Sequence, residues 1–305
     1  MLPNYVLITP ARNEVKFIEL TIKSVVAQTV KPLKWIIVSD GSTDETDDIV
    51  RRYTAEHSWI ELIRLPERKE RHFAGKVHAF NAGHARVMDL PYEVIGSLDA
   101  DLSFEEEYFA YLLQKLAENP SLGLVGTPFQ EDSGDMYDYR FSSSDNVSGA
   151  CQLFRRPCFD QIGGYVPLKD GGIDHMAQIS ARMKGWKTRT FTEKVTHHHR
   201  KMGSARHGKW RASFNQGIKD YKFGNHPAWE IFRTMYQMTS RPYVLAGLLL
   251  GAGYWWGLLR RYETPISGEM RRFIRSEQLC RLKAFLGNPL ARFKSAIPSP
   301  PLGGI

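Results

Sequence analysis

The feature that most constrains the fold is the regular alternation of short apolar runs with amphipathic stretches through the first hundred residues. Val6-Leu7-Ile8-Thr9 is a short apolar run closed by Pro10, and a helical pattern follows from about Val15 to Gln28, with Phe17, Leu20, Ile22, Val25 and Val26 as its inward stripe. Trp35-Ile36-Ile37-Val38 is a second strand. Ser42 or Thr43 is placed to cap a helix running to about Glu56, with Asp44 and Glu45 in its first turn. Ile60 to Leu65 reads as a third strand, Lys76 to Val87 as a helix and Val94 to Leu98 as a fourth strand. Strands and helices alternating at this spacing predict βαβ units and an α/β fold with a mainly parallel sheet. Ligands of such sheets bind beyond the carboxyl ends of the strands. Three polar, acid-bearing turns converge there: Thr9 to Glu14, Ser39 to Asp44, and Asp99 to Asp101.

Beyond Asp101 the pattern loosens. Glu105 to Glu118 reads as a helix, Gly123 to Thr127 and Gly149 to Phe154 as strands, and Ile173 to Lys184 as a helix after Gly163-Gly164; 132–144 is polar and expected to be a mobile loop. Apolar and charged fractions of 42% and 24% belong to a folded chain, and 305 residues suffice for one large domain with an appendage.

The chemistry begins at Asp99-Ala100-Asp101. Carboxylates two apart at a strand end reach a hard cation, one directly and one through water, and Mg2+ or Mn2+ held there bridges to a diphosphate. Such a pair is common in turns and gains meaning from its company. Pro10-Ala11-Arg12-Asn13-Glu14, Val38-Ser39-Asp40-Gly41-Ser42-Thr43-Asp44, Gly75-Lys76 with Asn81-Ala82-Gly83, and Asp99-Ala100-Asp101 follow one another in the order of the family 2 glycosyltransferases, which this chain resembles. The resemblance continues through Gly163-Gly164-Tyr165 and Asp174 ahead of Gly185, and covers roughly residues 3 to 200.

That resemblance implies an inverting enzyme of the GT-A fold, a Rossmann-like mixed sheet flanked by helices. It places the nucleotide-sugar donor, with uridine as the expected base, against Thr9, Pro10, Arg12, Glu14, Asp40, Lys76, Asn81 and Asp99. Asp174 matches the carboxylate that takes the acceptor proton, although Ile173 stands where the family usually has Glu. Asp170 is the competing base. A sugar hydroxyl is a poor nucleophile until its proton is removed, so a carboxylate is needed on the acceptor side. His197-His198-His199-Arg200 matches a segment from which one His, His198 or its neighbour His197, completes a metal set with Asp99 and Asp101. Arg200 would then neutralise the leaving diphosphate.

The resulting organisation is a catalytic domain over 1–205, with a nucleotide-binding half (1–101) and an acceptor half (102–205). A basic, apolar helical extension follows over 206–287, and then a Pro- and Gly-rich tail, 288–305, expected to be disordered. Tyr243 to Leu259 has no charge and is flanked by Arg241, Arg260 and Arg261; this short apolar segment with basic residues on both sides predicts membrane attachment over 242–261, as a surface-lying or re-entrant hairpin. Such attachment suits a lipid-linked or glycan acceptor. The three cysteines show no metal or disulfide spacing, and Tyr5-Val6-Leu7-Ile8 lacks the apolar length and cleavage site of a signal peptide. The expected location is therefore the cytoplasmic side of the cell membrane. No nucleic-acid partner is expected, since no RRM-type or zinc-finger signature accompanies the net charge of +8. A Rossmann dehydrogenase is excluded by the lack of GxGxxG at Pro10-Ala11-Arg12-Asn13-Glu14. The alternative to an enzyme is a relative that binds nucleotide sugar without turnover, or a membrane-bound partner in polysaccharide assembly.

Overall fold

The computed structural model describes residues 1–67, 74–131, 144–169, 171–200, 209–239 and 244–287. Described residues up to Arg200 form one compact unit and those from Lys209 form a second.

In chain order the first unit comprises β1 (Tyr5–Ala11), α1 (Ile18–Val26), β2 (Lys34–Asp40), α2 (Thr46–Glu56), β3 (Ile60–Leu65), α3 (Ala74–His84), β4 (Val94–Leu98), β5 (Leu102–Ser103) and α4 (Tyr108–Glu118). There follow β6 (Leu122–Gly126), β7 (Phe129–Glu131), β8 (Cys151–Arg155), α5 (Arg156–Ile162), α6 (Ile173–Met183), β9 (Lys187–Thr190) and β10 (Thr196–His198). Seven strands make one sheet in the order β3-β2-β1-β4-β8-β6-β9, and β5, β10 and β7 make a small second sheet. β1, β2, β3 and β4 are mutually parallel, whereas β8 runs antiparallel to both β4 and β6. The sheet is therefore mixed, with a parallel half from the βαβ repeats and one reversed strand that brings Gly149 and Ala150 back to the edge where β4 ends.

Period-two alternation decides which helix covers which face. Tyr5, Leu7, Trp35 and Ile37 join one buried cluster with Ile18, Ile22 and Val25 of α1, Ile49 and Val50 of α2, and Phe109, Leu112 and Leu116 of α4. On the opposite face α3 seats against Ile8, Ile36 and Val38, so closely that a Cβ on Gly83 would fall 2.7 Å from Ile8 Cγ2. Burial on both faces explains why these strands read as continuous apolar runs.

Two local expectations are corrected. Leu20 is 41% exposed, and Thr21 takes the buried position beside Ile22, because the helix begins at Ile18 and its stripe is Ile18, Thr21, Ile22 and Val25. The start of α2 is satisfied not by Ser42 or Thr43 but by Asp44, whose Oδ1 accepts from Thr46 N at 3.1 Å. Segment 132–143 of the expected loop, Asp170 and the tail 288–305 lie outside the described residues.

The second unit is helical: α7 (Lys209–Lys222), α8 (Pro227–Gln237), α9 (Val244–Leu259) and α10 (Gly268–Gly287). Two residues beyond α7, Gly224 at φ +78° turns the chain. α8 begins with Pro227 behind His226, whose Nδ1 accepts from Ala228 N at 3.1 Å. α7 and α9 touch backbone to backbone. A Cβ on Gly217 would lie 2.0 Å from Leu250 O, and one on Gly253 2.0 Å from Phe214 O. Among the described residues no helix is long and apolar enough to cross a membrane.

Candidate active site

The first two turns are laced together. Asn13 adopts φ +55°, which Asn tolerates better than most residues; its N donates to Ser42 Oγ (3.1 Å), and its Oδ1 accepts from Thr43 N (2.8 Å). Glu14 N donates to Thr46 Oγ1 (2.7 Å), and Val15 N donates to Asp44 Oδ2 (3.2 Å). Against the cost of burial, these bonds from Thr46 and Val15 hold the Asp44 carboxyl below its ordinary range. Asp44 is thus a scaffold acid, a role the sequence showed only as an acid in a first helical turn.

Asp40 ends β2, nearly buried, with Gly41 at φ +66° behind it. A Cβ at Gly41 would strike the backbone of Glu67 at 2.6 Å, so this turn is closed over by chain. Pro10 and Arg12 are half-buried at the end of β1. Thr9 faces the interior instead: it is fully buried, and its hydroxyl accepts from Trp35 Nε1 at 2.9 Å.

Asp99 and Asp101 follow β4 directly. Asp99 N donates to Ala150 O (2.9 Å), which ties the motif to the start of β8. Its carboxylate pairs with the Lys76 ammonium, whose Nζ also lies 3.5 Å from Gly149 O. Burial disfavours the Lys76 charge, but Asp99 more than offsets it and holds that ammonium above its ordinary value. Burial, helped by Asp101 and opposed by Lys76, pushes the Asp99 carboxyl upward. Asn81 is exposed, about 7 Å further along α3 and roughly 140° around it from Lys76. The fold does not bring it to this pair.

Asp101 faces β10. Its Oδ1 lies 3.6 Å from His198 Nε2, its Oδ2 lies 3.2 Å from Arg200 Nε, and its carbonyl accepts from His199 N at 3.0 Å. Strand alternation separates the histidines: His198 is buried toward Asp101, while His197 is exposed. His199 turns its ring to Ser103 Oγ (2.8 Å) and stacks on Phe17. Arg200 also pairs with Glu14, so one guanidinium joins the first-strand turn to the Asp-x-Asp motif. Burial raises the Glu14 carboxyl to about 7 against the pull of Arg200.

Asp174 lies in the first turn of α6, after Gly171 and Gly172 at φ +82° and +84°. Its carboxylate lies so close to Gly149 that a Cβ there would meet Oδ2 at 2.6 Å. Gly149 therefore lets Asp174 lean onto the strand end that also holds Lys76. Lys76, Ser97, Gln152, Tyr165 and Asp174 line a small cavity with Ile173 among its apolar wall. Tyr165 O–H donates to Gln152 Oε1 at 2.8 Å within it. Ser97, Gln152 and Gly149 carried no signal of this in the sequence, since each is brought in by the reversed strand or by strand pairing.

A parallel half-sheet, a reversed strand and acids gathered at the strand ends define an α/β architecture of GT-A kind. The family described as glycosyl transferase family 2 matches residues 6–167, and the chain belongs to it: the protein is a glycosyltransferase enzyme. Poly-beta-1,6-N-acetyl-D-glucosamine synthases of Staphylococcus epidermidis and Staphylococcus aureus are 29% identical over 117 residues. That match covers 38% of this chain and 26% of theirs, so the chain spans about a quarter of the length of these curated relatives. Among solved structures, a mannosyltransferase from Pyrobaculum calidifontis in complex with GDP-Man and Mn2+ superposes with a TM-score of 0.56 at 16% identity, covering 97% of this chain and 84% of that one. TarS residues 1–349 of S. aureus in complex with UDP-GlcNAc gives a TM-score of 0.56 at 13% identity, covering 97% and 82%. These likenesses show the GT-A fold.

Proposed function

We propose that the chain transfers a sugar from a nucleoside-diphosphate sugar, with UDP as the expected carrier, to a lipid-linked or glycan acceptor, with inversion at the anomeric carbon. The observation that carries this reading is the gathering of three carboxylates, Asp99, Asp101 and Asp174, around one strand-end edge with Lys76 among them. The solved relatives named above were captured with GDP-Man and with UDP-GlcNAc, which supports a nucleotide-sugar donor.

A divalent cation fits these residues. Among the described residues no three or more His, Cys, Asp or Glu side chains are already gathered as a metal-holding group. Mg2+ and Mn2+ are commonly held by one or two carboxylates with the remaining positions left to phosphate oxygens, and the Asp101–His198 pair beside Asp99 is such a partial set. Asp99, Asp101 and His198 would hold the cation, which supplies charge neutralisation at the leaving diphosphate.

The chain's own groups do the rest. Pro10, Arg12 and Asp40 line the edge assigned to base and ribose. Lys76 and Arg200, each now paired with a carboxylate, are the cations within reach of the phosphates, and entry of a diphosphate exchanges one anionic partner for another. Asp174 accepts the proton of the acceptor hydroxyl as its oxygen bonds to the anomeric carbon and the bond to the diphosphate oxygen breaks. Attack from the face opposite the leaving group inverts the centre.

The test is calorimetry of the full chain with UDP, GDP and ADP, with and without Mn2+, repeated on Asp99→Ala/Asp101→Ala. Metal-dependent binding of one nucleotide, lost in the double variant, is expected. If folded protein binds none of the three, the donor site is wrongly placed.

A further inference from the structure

One face of α9 has no partner among the described residues, although the helix is the most apolar of those described. Its other face is firmly seated: Ala246, Gly247, Leu250, Gly251, Gly253, Tyr254 and Gly257 are buried against the second unit's own helices. The glycines let it approach to van der Waals limits, with Gly247 and Gly251 against Thr234 and Gly257 against Tyr221. What this leaves outside is also apolar. Leu245, Leu248, Trp255, Trp256 and Leu259 are 40% to 77% exposed and recur at helical spacing along one stripe.

We infer that this stripe docks flat on an anionic lipid bilayer, α9 lying in the plane of the surface. Three observations favour lipid over a protein partner. The second unit's surroundings are strongly basic: from Met202 onward the sequence has sixteen Lys and Arg against five Asp and Glu, and no acid occurs between Glu230 and Glu263. Two of those five acids, Asp220 and Glu230, are buried and do not reach the surface. At the end of the stripe the exposed Arg260 and Arg261 follow directly, with the Arg260 guanidinium 4.6 Å over the Trp256 ring. Indole and guanidinium together suit the headgroup level, where the ring takes the apolar side and the cation the phosphate. The third observation is size. A 16-residue helix is about 24 Å long, so its exposed stripe offers on the order of 300 Å2, well short of the ~800 Å2 per partner of a stable protein interface. An in-plane helix has no such threshold, because each exposed apolar side chain can enter the headgroup and acyl boundary without a complementary surface to match. Among the described residues no helix is long and apolar enough to cross a membrane, and a one-sided apolar stripe suits an in-plane helix.

This placement is independent of the donor chemistry, and its test keeps the two apart. The full chain is floated with vesicles of phosphatidylcholine alone and of phosphatidylcholine with phosphatidylglycerol. Wild type is expected to float with the anionic vesicles, and added salt should weaken the association. Leu248→Glu/Trp256→Glu, both at exposed positions, should reduce the bound fraction at least about tenfold. Helix content and UDP binding should stay as in wild type. Arg260→Ser/Arg261→Ser should lose the preference for anionic vesicles. The inference is overturned if wild type floats with neither vesicle, or if the Leu248/Trp256 variant floats as wild type does. It is equally overturned if the variant's one effect is to dissolve a dimer seen by sedimentation velocity, which would make the stripe an interface between copies.

Discussion

His198 Nε2 stands 3.6 Å from Asp101 Oδ1, while its neighbour His197 faces outward. The pairing is set by β10, whose alternation turns one of two adjacent histidines inward, and by the β5–β10 register that sets His198 opposite Leu102. His198→Ala should therefore weaken Mn2+-dependent nucleotide binding by about tenfold or more, as loss of a group at a metal site does. His197→Ala should leave it unchanged. Calorimetry on both variants decides; equal losses would mean that neither imidazole reaches the cation.

Asp174 rests against Gly149, and that contact depends on the missing side chain. Asp174→Asn keeps the shape and removes the base, so kcat should fall by about 100- to 10,000-fold with donor KM little altered. Gly149→Ala should lower kcat through displacement of the same carboxylate, since its Cβ would lie 2.6 Å from Oδ2. A split between kcat and KM in steady-state transfer assays is the readout. If Asp174→Asn turns over like wild type, the proton goes elsewhere, with Asp170 the next carboxylate to vary.

Arg200 spans Glu14 and Asp101, and it links the first turn to the Asp-x-Asp motif through charge. Arg200→Ala should raise the donor Kd and lower kcat together, because the same cation is assigned to the leaving diphosphate. Arg200→Lys should recover only part of the loss, since one ammonium cannot span both carboxylates as a guanidinium fork does. Full recovery by Lys would show that charge alone matters there.

The parallel half of the sheet was legible because each strand is buried on both faces and each crossover is a helix with a clear stripe. Ile60–Leu65 and Val94–Leu98 fall where the sequence put them. The acids of the site were legible for the same reason, being the first polar residues after apolar runs. Their partners were not. Thr9 looked like a ligand-facing residue at a strand end, yet strand alternation turns its hydroxyl inward to Trp35, 26 residues away. Asn81 looked adjacent to Lys76 in sequence, but five residues on a helix place it on another face. Gly149 and Gln152 reach the cavity through an antiparallel strand, and no periodicity within one segment reports which neighbour a strand will pair with. α9 read as apolar throughout, which hid its division into a glycine face that packs and a leucine–tryptophan face that does not.

The glycine face yields a stability prediction. At Gly217 and Gly253 a methyl group would sit 2.0 Å from a carbonyl oxygen of the facing helix, and backbone cannot yield as a side-chain tip can. Gly253→Ala should destabilise the second unit by about 3 kcal/mol, the upper end of what overpacking usually costs. Gly268, where an added methyl would meet nothing nearer than 3.9 Å, supplies the control. Chemical denaturation followed by circular dichroism should separate the two; equal midpoints would contradict the close α7–α9 approach.

Glu230 supplies the last prediction, and its sign follows from burial. The side chain is fully buried, its Oε2 accepts from Asn225 Nδ2 at 3.3 Å, and Asp220 lies near enough to repel it. Desolvation and then Asp220 raise its carboxyl from 4.5 to about 7, and Arg233, engaged with Asp220 at 2.5 Å, only partly opposes them. A raised folded value means that the stabilising contribution is complete below about pH 4.5 and drains away as pH climbs through 7. The second unit should therefore be weaker at pH 8 than at pH 5.5 in wild type. Glu230→Gln carries no ionisable proton, so its stability relative to wild type should improve as pH rises to about 7 and level off above it. Denaturation midpoints of both proteins at half-unit steps of pH give the comparison. A difference that stays flat would mean that Glu230 is already ionised throughout and that Arg233 neutralises it more fully than its engagement with Asp220 suggests.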